Sequence, residues 1–128
     1  MEKLQLIQSL KHWCDLIWEY NPTIGKIYVY RDKLALQLEN NWYDPAELDR
    51  IIRQEDHLEI SRSDSFFSAD SVPEMVQKNT RLQEFDLWFC QKNRDLIWYN
   101  MRIEKLNQDS WIITGYNKST EMKERSMY

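Results

Sequence analysis

Two glycines and three prolines in 128 residues exclude Gly-rich phosphate cradles, collagen-like repeats and Pro-rich ligand segments. Two cysteines, Cys14 and Cys90, are too few and too far apart for a disulfide framework or a zinc knuckle, and both read as reduced thiols. His12 and His57 are the only histidines. A Ser- or Cys-based nucleophilic enzyme, which needs an imidazole oriented by an acid, therefore has little to draw on. No apolar run approaches the roughly 18 residues needed to cross a bilayer, and Met1-Glu2-Lys3-Leu4 meets Gln5 and Gln8 before any signal-like block forms. The expectation is a cytoplasmic chain without direct membrane contact. Positive charge is also short: 17 Lys and Arg against 21 Asp and Glu leave a net charge of -4. Without a basic stripe, nucleic acid is not an expected partner.

Apolar matter is not short. Hydrophobic residues make up 42% of the chain and aromatics 13%, with 30% charged, which suffices for one ordinary core and is too little charge bias for disorder. Leu4, Ile7, Leu10, Lys11 and Cys14 recur at helical spacing, predicting an N-terminal amphipathic helix over residues 1–14. From Asp15 the period changes to two. Leu16, Trp18 and Tyr20 alternate with Ile17 and Glu19 in a half-buried strand, Asn21-Pro22-Thr23-Ile24-Gly25 supplies turn chemistry, and Lys26 to Tyr30 returns as a second strand. Asp44-Pro45-Ala46-Glu47 and Ser71-Val72-Pro73-Glu74 each combine a capping side chain, an early proline and an acid, predicting helices through Leu48, Ile51 and Ile52 and through Met75 and Val76. The polar stretch Ser61 to Ser65 reads as a loop or broken helix. Strands follow at Glu84–Phe89, Leu96–Ile103 and Trp111–Tyr116, and the tail from Glu121 to Arg125 regains helix-forming composition.

The order of hairpin, short helices and three-stranded meander resembles the PAS sensory domain, and the resemblance extends to residues. Ile17-Trp18-Glu19-Tyr20-Asn21 with Gly25-Lys26-Ile27-Tyr28 is similar to the opening of the subfamily found beside diguanylate cyclases and histidine kinases. Ile51-Ile52 before Glu55-Asp56 sits where that subfamily has a hydrophobic pair and His-Pro-x-Asp, with Arg53 and Gln54 in place of His and Pro. Phe85-Asp86-Leu87-Trp88-Phe89 and Arg94 to Tyr99 resemble its paired strands, and Asn117-Lys118-Ser119 falls on its closing Asp-x-Thr without the carboxylate.

The resemblance implies an α+β fold, with a PAS-like five-stranded antiparallel sheet over residues 15–118, short helices on one face and a signalling helix starting within 119–128. It implies a non-catalytic sensory and dimerisation module, forming a homodimer and passing a ligand- or partner-dependent change to a C-terminal effector, either a diguanylate cyclase or a histidine kinase. Asn117 and Ser119 would relay that change. A pocket is expected between the sheet and the short helices. Trp98 and Asn100, on one face of their strand by the period of two, lead its candidates, followed by Tyr28, Tyr30, Trp42, Met75 and Arg102. These large side chains also suit a simple filled core. No cofactor is expected: neither cysteine has the setting of a flavin photoreceptor thiol, and Ser71 to Asn79 offers no histidine for haem. His12 and Cys14 are two apart on a helix and point to different sides, and His57 reads as part of a solvated acidic turn. A small cone-shaped enzyme of the nuclear-transport-factor-like or ketosteroid-isomerase type is the alternative, with Asp86 or Asp95 as general base in an apolar cavity. A purely structural interaction protein is a third reading, which exposed aromatic residues would favour.

Overall fold

The computed structural model describes residues 2–33, 36–55, 59–61, 69–77, 82–90 and 96–118. The expected strand at Leu16 forms as β1 (Leu16–Asn21) and its partner as β2 (Lys26–Asp32). Asn21 closes the turn between them by accepting from Thr23 N at 2.9 Å through Oδ1, while Gly25 takes φ 68°, the left-handed region its missing Cβ permits. Two elements not foreseen in the sequence follow: a 3-10 turn at Leu36–Leu38 and β3 (Asn41–Tyr43). They are too short for any periodicity to show. Asn40, at φ 65°, makes the left-handed step into β3.

Helix α2 (Pro45–Glu55) starts at the expected proline, its first turn closed by the backbone bond from Leu48 N to Asp44 O at 2.9 Å, and buries Leu48 and Ile52 one turn apart. After β4 (Glu59–Ser61) and a 3-10 turn at Ala69–Ser71, α3 (Val72–Gln77) buries Val72 and Val76 at the same spacing. The meander is β5 (Leu82–Cys90), β6 (Leu96–Asn107) and β7 (Ser110–Asn117). The anticipated exit helix and Ser119 lie outside the described residues, as do His57 and Asp95.

The strands of the described residues join one antiparallel sheet in the order β3-β2-β1-β7-β6-β5-β4. Five long strands make up its body, and the three-residue β3 and β4 trim its edges, which limits unpaired backbone there. The early hairpin therefore shares a layer with the late meander, joined by β1 against β7 from Leu16↔Gly115 to Tyr20↔Trp111. One face packs Leu16, Trp18, Val29, Tyr99, Met101, Ile103 and Ile113 against Leu38, α2 and α3. The opposite face carries a smaller cluster of Ile17 and Ile112 under Ile7, Leu10 and Cys14.

The N-terminal helix is shorter than its periodicity implied. α1 covers Lys3–Leu10, and residues 11–13 turn before Cys14. The turn is forced because Asp15 N must already donate to Gly115 O at 2.8 Å to start β1. Of the expected stripe only Ile7 is buried on the helix itself, while Leu4 is 67% exposed. β1 is correspondingly not half-buried. Its first five residues are all buried, because α1 covers the second face as well. No helix among the described residues is long and apolar enough to cross a membrane.

Candidate functional site

Strand alternation decides where each candidate points. Tyr99, Met101 and Ile103 take the α2/α3 side of β6, so Trp98, Asn100 and Arg102 face the α1 side, away from the expected pocket. The same holds for Tyr28, which alternates with the buried Ile27 and Val29, and for Trp42 opposite it. Their rings meet edge-on at 5.2 Å between centroids, and Tyr28 lies 4.6 Å from Tyr30. Tyr30, two residues beyond Tyr28 on the same strand, turns to this side too and packs against the α1-side cluster. Of the seven pocket candidates, only Met75 packs against the helix-side core. The pairing of Trp98 with Asn100 on one face is correct, but that face is the other one.

The helix-side core has one polar feature that periodicity does not reveal. Trp18 is 3% exposed, and its indole Nε1–H has no hydrogen-bond partner. An orphaned buried donor costs about 1 to 3 kcal/mol, which an acceptor on a bound molecule or a water would recover. Tyr99, also in this core, has its phenol held well above the usual value by burial first, then by the charges of Asp15 and Asp32.

On the other face, Glu19 is a buried carboxylate in a built socket. Tyr30 Oη donates to its Oε1 at 2.6 Å and Ser110 Oγ to its Oε2 at 2.8 Å, from β2 and β7 respectively. Lys3 Nζ reaches both oxygens at 3.4 Å from the first turn of α1. Burial, followed by the hydrogen bond and charge of Glu19, holds the Tyr30 phenol far above its ordinary value, so it stays a donor. Beside α1 lies a groove of about 180 Å³ lined by Leu6, Leu10, Trp13, Arg102, Leu106 and Ile112 among others. It falls below the roughly 300 Å³ at which small-molecule pockets begin. Trp13, Trp42 and Tyr116 are exposed on the surface.

A third cluster gathers where the chain enters β1 and leaves β7. Asp15 Oδ2 accepts from Asn117 N at 2.7 Å, and its Oδ1 pairs with Lys33 Nζ at 3.1 Å. Lys33 N also donates to Asp15 O at 3.0 Å, which ties in the end of β2. On the other flank, Lys118 N donates to Trp98 O at 2.7 Å and Lys118 Nζ lies 3.3 Å from Asp86 Oδ2. Asn100 Nδ2 bridges Asp86 and Glu84 at 3.1 and 3.2 Å. Asn100, a pocket candidate, and Asn117, a relay candidate, thus belong to one surface network at the exit of β7. The sequence reading missed Asp15 and Lys118. A carboxylate at the position where helical period gives way to strand period was the available signal for the first.

Asp86 stands exposed among Asn100 and Lys118, not in the apolar cavity that a ketosteroid-isomerase-like base requires, and Leu16 to Tyr30 forms strands where that fold opens with helices. Among the described residues, no three His, Cys, Asp or Glu stand close enough to hold a metal ion. Comparison with known proteins finds no matching family model, no matching curated protein and no matching solved structure.

Proposed function

We propose that this chain is a non-catalytic, PAS-like sensory and dimerisation module of a bacterial signal-transduction protein, working in the cytoplasm and feeding a C-terminal effector such as a diguanylate cyclase or histidine kinase. The observation that carries the reading is the junction at Asp15. β1 and β7 run side by side in the middle of the sheet, and one carboxylate holds the start of β1 to the last residue of β7. A displacement of the central strands is thereby delivered to the point from which the chain continues.

The sensing side of this reading is the helix-side core, where the unpaired Trp18 Nε1–H marks where an acceptor on a small apolar ligand would sit. A ligand that fits one of two sheet–helix arrangements better shifts their populations. The outward-facing Leu4 and Trp13 beside α1 supply apolar surface for a twin subunit.

Native mass spectrometry of freshly purified protein tests both parts. The reading expects a dimer carrying a bound small molecule, and loss of that bound mass in Trp18→Phe, which keeps most of the volume and removes the donor. A ligand-free monomer across a wide concentration range would remove both claims.

A further inference from the structure

We infer that α1 is a releasable strap whose closure is the Lys3–Glu19 ion pair. It concerns the face opposite the proposed ligand core and does not depend on the sensory reading. An isolated helix of eight residues is far short of the roughly 12 to 15 at which helices become even marginal in water, so α1 persists only through what it touches. What it touches is limited. Ile7 is buried, Leu10 is half-buried, Leu4 points outward, and Glu2 supplies no side-chain cap. The groove along its flank leaves part of the sheet face open to solvent. Segments with so few apolar contacts open locally before the rest of a domain does.

The socket that receives Lys3 belongs to the sheet. Tyr30 and Ser110 hold the Glu19 carboxylate from β2 and β7, so it stays oriented whether α1 is docked or not. Only the ammonium arrives with the helix. The carboxylate is 5% exposed while the Lys3 side chain is 46% exposed, an asymmetry that leaves a shielded receptor for a cation reachable from solvent. Exposed ion pairs contribute little, but burial of one partner raises the value of this one above a surface pair. Release of the strap uncovers Ile17 and Ile112 on the two central strands, together with Cys14.

Cys14 reports the opening. Its thiol is 3% exposed and pushed up to about 11 by burial first, then by Asp15, so the docked state resists alkylation. The neighbouring charges acting on it are Asp15, Arg102 and Arg31, so altering the Lys3–Glu19 pair changes its access, not its chemistry. In a Cys90→Ser background, the rate of Cys14 alkylation by iodoacetamide is measured for the parent, Lys3→Gln, Glu19→Gln and the double variant. Amide exchange of α1 and β6 is followed in parallel. Each single variant is expected to raise trapping and α1 exchange by roughly threefold to tenfold, with β6 unchanged and the double variant no faster than either single. High sodium chloride should accelerate trapping in the parent and not in Lys3→Gln. Unaltered trapping in Lys3→Gln overturns the strap, even if Glu19→Gln fails to fold. Exchange rising equally across α1 and β6 also overturns it, since that is loss of global stability.

Discussion

Tyr30 and Cys14 show how burial on the α1 side fixes protonation. The phenol of Tyr30 donates to a buried carboxylate, and ionising it would set two negative charges against each other in a desolvated site. Cys14 is raised from 9.0 to about 11, and Tyr99 is raised in the same direction from 10.0. Tyr30, Cys14 and Tyr99 are acids that the fold holds in their neutral form. As pH rises past 9.0, the unfolded chain releases the Cys14 proton while the folded chain keeps it until about 11. The unfolded state therefore binds fewer protons, and stability falls with rising pH. The two tyrosines extend the loss above 10.0. Urea denaturation from about pH 8 to about pH 11 should show a falling midpoint, with the earliest part of the fall absent in Cys14→Ser. A flat midpoint would contradict the burial of these groups.

At the scale of elements, the junction at Asp15 can be weighed part by part. Lys33 Nζ is more than half exposed, so its pair with Asp15 contributes little, whereas the bond from Asn117 N to the carboxylate is charge-assisted and closes the last step of β7. Asp15→Ala should therefore cost about 1 to 2 kcal/mol, and amide exchange should rise mainly at Asn117, with Ile113 in mid-strand unaffected. Equal loosening along β7 would mean that Asp15 serves the whole sheet and not its exit. The elements themselves were legible where they were long or opened by an early proline. The Asp44-Pro45 and Ser71-Val72-Pro73 starts, the Asn21–Gly25 turn and the alternation through β6 all carry local chemistry that survives in the fold. β3 and β4 were invisible because three residues hold no period. The side each strand turns to the helices was not legible either. A period of two separates Trp98 and Asn100 from Tyr99 and Met101, yet nothing local states which pair faces α2 and α3. The register shift opposite Ile17 and Trp18 further breaks the alternation on β2 beyond Tyr30.

For the whole molecule, the decisive feature is a non-local one. Residues near both ends of the described chain meet in the middle of the sheet, while the hairpin turns at the far end are stitched by Thr23 Oγ1 donating to Asp109 Oδ1 at 2.7 Å. Gly115 permits the close approach beside Asp15. A Cβ there would come within 3.0 Å of Met101 Sδ and Tyr99 Cδ2 and 3.1 Å of Leu16 Cβ. Everything assigned to the strap, the core and the junction depends on β1 lying between β2 and β7. Backbone nuclear Overhauser contacts from assigned spectra test that placement most directly. The structure requires cross-strand contacts for Leu16 with Gly115, Trp18 with Ile113 and Tyr20 with Trp111, alongside those of β1 with β2. Contacts of β1 with β2 alone, with β7 bonded only to β6, would place the early hairpin in a layer of its own and undo the account.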